Sequence, residues 1–180
     1  MEFLTKTECG AWLHERDIFS LPYGNPKPPG VSYLQFKLPP KREALGEFTY
    51  KIFSVWGIET NGLMAITEWH YDDEYEDDPT AALRQNHGEE RDLREVPAMV
   101  FSSEEIELSA DLAYLVIDRS WTAYWYLPNQ TIALLWEGEI IDLWSPNPQV
   151  LASTQLILLE YDAPILHRRA GKPLWPDEQK

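Results

Sequence analysis

The sequence predicts an α+β fold: a single domain in which several helices pack on a mostly antiparallel sheet. Two observations carry that expectation. The stretch from Trp121 to Trp144, WTAYWYLPNQTIALLWEGEIIDLW, holds three aromatic, apolar or β-branched runs separated by Pro128-Asn129-Gln130 and by Glu137-Gly138-Glu139, the pattern of an aromatic three-stranded meander. Around it lie segments with helical spacing and helix-start signals, so hairpin-linked strands mix with helices and a parallel doubly wound sheet is disfavoured. At 180 residues, with 44% hydrophobic side chains, the chain is long enough for one sizeable core.

Taken in order, Thr5 and Glu8 have capping-box spacing, and Cys9, Trp12 and Leu13 then share a face, which predicts a helix over 6–18. Four prolines and two glycines in LPYGNPKPPG, Leu21 to Gly30, predict an irregular connection. A strand follows over 31–38 and ends at Pro39-Pro40. Leu45, Phe48, Ile52, Val55 and Trp56 recur at helical spacing up to Gly57, although TYKIFSVW also fits a strand. GLMAITEWHY, 62–71, reads as a strand that runs into an acidic stretch.

Asp78 before Pro79 is a cap followed by proline at the first helical position, and Gly88 is a stop, which gives a helix over 79–87. The charged 88–97 segment reads as an exposed loop. Ser102 or Ser103 with Glu105 opens a further helical turn, which Leu108, Leu112, Leu115 and Val116 extend. In the first meander strand Trp121, Ala123, Trp125 and Leu127 point one way, and Thr122, Tyr124 and Tyr126 the other. Asn147-Pro148 opens a last helix, with TQLILLEY as an alternative strand. The expected order is α-β-α-β-α-α-β-β-β-α, with one domain over 1–167 and a flexible tail over 168–180.

No basic segment precedes an early apolar run, and no apolar run nears the roughly 18 residues that span a bilayer, so neither secretion nor membrane insertion is expected. The single cysteine, Cys9, makes no intramolecular disulfide, and a reducing cytoplasmic setting is expected. The net charge is −15, and residues 52–163 alone carry four Lys/Arg against twenty-two Asp/Glu. That field repels phosphate backbones and anionic lipid, and attracts cationic proteins. Direct nucleic-acid binding and membrane binding are not expected.

The charge is densest in WHYDDEYEDDP, residues 69–79, where six acids fall within seven residues. An EF-hand begun at Asp72 needs glycine at its sixth position and glutamate at its twelfth, but Asp77 and Leu83 stand there. A looser calcium or magnesium site on Asp72, Glu74 and Asp77 is an alternative. The histidines at 14, 70, 87 and 167 have no paired metal-binding spacing. Glu68 beside Trp69, or Glu137 after Trp136, joins an acid to a sugar-stacking ring without any further constraint. Neither a GxSxG elbow nor a Walker loop nor GxGxxG is present, and His14 lies about 140° around the helix from Cys9. No cofactor and no catalytic residue are expected.

The acidic run therefore reads first as a binding element. Asp72, Asp73, Glu74, Glu76, Asp77 and Asp78 approach the charge density of a nucleic-acid strand, and Trp69, Tyr71 and Tyr75 supply the aromatic anchors of a tight interface. Tyr124 and Tyr126 are a secondary candidate surface. This is the profile of an acidic protein that neutralises a basic partner, as immunity proteins do for toxin domains. The alternative is a metal-dependent or carboxylate-based hydrolase that uses the 68–78 loop.

Overall fold

The computed structural model describes residues 1–18, 30–57, 61–68, 78–127 and 129–169. They build one eight-stranded antiparallel sheet and five α-helices, the α+β domain that the sequence predicts. The elements are β1 (Glu2–Leu4), α1 (Lys6–Glu15), β2 (Ser32–Lys37), α2 (Leu45–Gly57), β3 (Gly62–Glu68), α3 (Asp78–Asn86) and β4 (Ala98–Phe101), followed by α4 (Ile106–Asp118), β5 (Thr122–Tyr126), β6 (Ile132–Trp136), β7 (Ile140–Ser145), α5 (Pro148–Glu160) and β8 (Ile165–Arg169). Across the sheet the strands run β1-β4-β3-β5-β6-β7-β2-β8. The predicted meander is its centre, with Tyr124 opposite Leu134 and Leu134 opposite Asp142.

Strand alternation sorts the sheet side chains into two cores. On one face Trp121, Ala123, Trp125 and Leu127, the set expected to point together, join Leu34, Phe36, Met64, Met99, Phe101 and Leu143 beneath residues of α2, α4 and α5. The Trp125 ring meets Phe53 of α2 edge-on at 5.0 Å and lies 5.6 Å from Phe101. Phe36, Phe48, Phe53 and Phe101 are all fully buried, each contributing about 2–3 kcal/mol through loss of apolar surface to water. On the other face Cys9, Trp12 and Leu13 of α1 pack with Leu63, Tyr126, Ile132 and Trp144.

The helix signals act as the sequence implies. Thr5 and Glu8 form a reciprocal capping box at α1, and Ser102 and Glu105 form another ahead of α4. The Asn147 side chain accepts from Gln149 N–H at 2.9 Å, with Pro148 opening α5. The buried Trp56 Nε1 donates to Thr154 Oγ1 at 2.9 Å, which ties α2 to α5. In the β6–β7 turn Glu137 (φ 47°) and Gly138 (φ 67°) are both left-handed, and Glu139 N–H bonds Trp136 C=O at 3.0 Å. Both alternatives left open, at TYKIFSVW and TQLILLEY, resolve as helix.

The structure departs from the expected order by adding three strands. β1 and β4 pair with each other, β4 also with β3, and β8 closes the far edge against β2. The expected flexible tail begins inside β8, where Arg168 lies opposite Leu34 and Arg169 opposite Tyr33. The 88–97 segment is not simply an exposed loop, because Leu93 and Val96 are buried in the larger core. The first helix stops at Glu15, short of 18, and the helix expected over 79–87 spans Asp78–Asn86. The proline-rich connection lies outside the described residues, apart from Gly30.

Candidate functional site

Of the predicted contact residues, Trp69, Tyr71, Asp72, Asp73, Glu74, Tyr75, Glu76 and Asp77 lie outside the described residues, as does His70. The described structure defines the two ends of the run. β3 stops at the exposed Glu68, which lies opposite Thr122, and α3 starts at Asp78 with Pro79 next, one residue earlier than expected. In chain order the acidic run thus joins the end of β3 to the start of α3, and negative charge at a helix N-terminus is favoured by the backbone dipoles.

The face of the sheet next to this rim carries a polar group that the sequence reading passed over. One cross-strand row runs through all eight strands: His167, Gln35, Asp142, Leu134, Tyr124, Ala65, Ala98 and Leu4. Asp142, at 0% exposure, is its one carboxyl side chain, third from the β8 edge. Its Oδ1 accepts from Tyr33 OH at 2.5 Å and from Gln35 Nε2 at 2.9 Å. The signal was present in IIDLW, a lone carboxylate inside an otherwise apolar strand. Such a group is tolerated only where donors meet it.

Tyr124 and Tyr126, the secondary candidate surface, are not a surface. They are 8% and 2% exposed, stack on each other with ring centres 5.5 Å apart, and belong to the core shared with α1. Burial pushes the Tyr124 phenol up, and the carboxylates of Asp142 and Glu68 push it further. Burial, then Tyr124 and Cys9, raise Tyr126. Both hydroxyls therefore keep their protons through the neutral range. Glu68 and Asp142 act on one phenol, but Asp142 is a held acceptor within the core. Exposed side chains on this rim include Glu68, Lys37 and Trp136, the last 41% exposed.

Several cations of the described surface are held by nearby acids. Arg42 bonds Asp118 at 2.5 Å, Lys51 bonds Glu160 at 2.5 Å and Glu47 at 3.1 Å, and Arg91 bonds Glu89 at 2.6 Å. The Arg91 guanidinium holds the Glu89 carboxyl down to about 2. Cys9 is buried on the predicted apolar stripe, and that burial raises its thiol, which is the wrong direction for a nucleophile. Among the described residues no group of three or more His, Cys, Asp or Glu is placed to hold a metal ion, and no helix is long and apolar enough to cross a membrane. No family model, no curated protein and no solved structure matches the chain.

Proposed function

We propose that this chain is an acidic, non-catalytic binding protein that captures and neutralises a basic protein, in the manner of an immunity or antitoxin-type inhibitor of a bacterial toxin. The observation that carries the reading is the charge distribution. Twenty-two acids against four basic residues occupy 52–163, and the densest seven of those positions span the connection between Glu68 at the sheet rim and α3. Counting every cation in that block still leaves a surplus of eighteen acids, 22 less 4, to set that field. Long-range attraction steers a cationic surface towards the run, and Trp69, Tyr71, Tyr75 and the exposed Trp136 slow its departure once docked. A reducing cytoplasmic setting accords with the lone, buried Cys9.

The test replaces Asp72, Asp73, Asp77 and Asp78 by Asn. A basic protein captured from the host lysate by the wild-type chain is then measured against both forms by surface plasmon resonance. The variant is expected to associate at least about tenfold more slowly at low salt, with the gap closing as salt rises. Equal association rates for the two forms at low salt reject the electrostatic reading. The second reading, a carboxylate-based or metal-dependent hydrolase on 68–78, draws on the crowding of six carboxylates within residues 72–78, whose mutual repulsion a divalent ion would relieve. Thermal unfolding with a panel of divalent ions separates the two, because stabilisation by one ion that the Asn variant loses favours the hydrolase.

A further inference from the structure

Helix α5 presents a face unlike the rest of this surface. From Leu143 to Leu159 the chain has no charged side chain, although its net charge is −15. Val150, Leu151, Thr154, Ile157 and Leu158 are buried and fix the helix on the core. Gln149, Ala152, Leu156 and Leu159 then form an outward stripe at 3-4-3 spacing, the seam pattern of paired helices. Leu156 and Leu159, at 68% and 74%, are the most exposed large hydrophobic residues described. The next acid, Glu160, is tied to Lys51. On the edge strand Ile165 pairs with Phe36 and is also exposed, while Arg168, opposite Leu34, lies on that same side of the sheet.

We propose that this stripe is the interface of a homodimer, with α5 of a second copy lying antiparallel on it. Charge selects the occupant. Two copies of a strongly acidic chain repel through most of their surface, and an uncharged flank is where their approach costs least. A basic partner gains no attraction there. Antiparallel packing also sets the positive end of one α5, whose first turn holds no acid, against the C-terminal end and Glu160 of the other. Full overlap of two helices spanning Pro148–Glu160 places the two-fold axis at Thr154. Leu156 of each copy then lies over the small Ala152 of the other, and Leu159 over Gln149, which permits close approach.

A contact between two 13-residue helices is small for a specific interface, so association at tens of micromolar is expected. Sedimentation velocity of the full chain from about 1 to 200 μM tests it, with dimer expected at the upper end and strengthening as NaCl screens the net charge. Leu156→Glu with Leu159→Glu should weaken the dimer at least about tenfold while the melting temperature holds, since both side chains face outward. A monomer at every concentration overturns the proposal, as does a dimer that persists in the double variant. Binding of the monomeric chain to phosphatidylcholine vesicles, abolished by the same substitutions, would assign the stripe to lipid and overturn it too.

Discussion

Asp142 occupies a position where the alternation of β7 would otherwise place an apolar side chain, and Tyr33 and Gln35 make it tolerable by donating to one carboxylate oxygen. Asp142→Ala removes the acceptor from both donors and should cost about 2–3 kcal/mol in urea unfolding, whereas Asp142→Asn keeps an oxygen there and should cost about 1 kcal/mol. Equal losses would show that the acceptor is not what matters. The paired tyrosines nearby give a pH dependence with a fixed sign. Tyr124 and Tyr126 have raised folded-state values, so above the unfolded value near 10 the unfolded chain releases protons that the folded chain retains. Their contribution is fully present below pH 10 and declines above it, by up to about 1.4 kcal/mol per pH unit for each tyrosine. Unfolding between pH 8 and 11 measures this, and Tyr124→Phe should flatten the decline. The sequence showed that these rings point away from Trp125. It did not show that α1 returns over them, because periodicity gives the side of a strand and not what covers it.

At the scale of elements, turns with left-handed backbone carry a clear expectation. A methyl group on Gly138 would strike the Ile117 carbonyl oxygen and approach Ser120 at 3.2 Å, in addition to the strain at φ 67°. Gly88 has a similar φ of 69° but open space around it. Gly88→Ala should therefore cost about 1 kcal/mol, the backbone part alone, and Gly138→Ala about 2 kcal/mol or more. Chemical denaturation of both variants decides, and equal costs would remove the steric contact from the account. The sequence was legible where a local chemical device sets an element: the Thr5–Glu8 capping box, the helical turn opened by Ser102 or Ser103 with Glu105, Asn147-Pro148, and the meander with its Gly138 turn. It was silent on β1 and β4, since three or four residues are too few to show alternation. Every residue of β8 is exposed, and it is held by backbone pairing to β2, so its sequence reads as a basic tail. Leu93 and Val96 were masked by the charged residues around them. Of the candidate site, the sequence supplied the acidic run but not Asp142, whose donors come from a strand more than a hundred residues away.

For the whole molecule the dominant fact is unbalanced charge, and it sets how stability responds to salt. Local pairs such as Arg42–Asp118 and Lys51–Glu160 are solvent-exposed contacts, each worth about 0–1 kcal/mol. Against them stands repulsion among the surplus acids of a chain at −15, which acts over long distances when ions are scarce. The screening length falls from about 30 Å at 0.01 M salt to about 10 Å at 0.1 M. Added salt thus removes more repulsion between distant acids than attraction between touching pairs. The melting temperature is expected to rise by several degrees between about 10 and 300 mM NaCl, as a net gain of 1–2 kcal/mol would produce at this size. Replacing Asp72, Asp73, Asp77 and Asp78 by Asn removes four charges from the densest stretch, so that variant should melt higher at low salt and respond less to added salt. Calorimetry of the two forms across the salt series checks both slopes. A wild-type melting temperature that falls with salt would mean that the local pairs outweigh the repulsion. A variant that melts lower at low salt would mean that the acidic run is held in the fold by cations. The charge would then serve the chain's own stability, and the case for keeping it for a basic partner would fail.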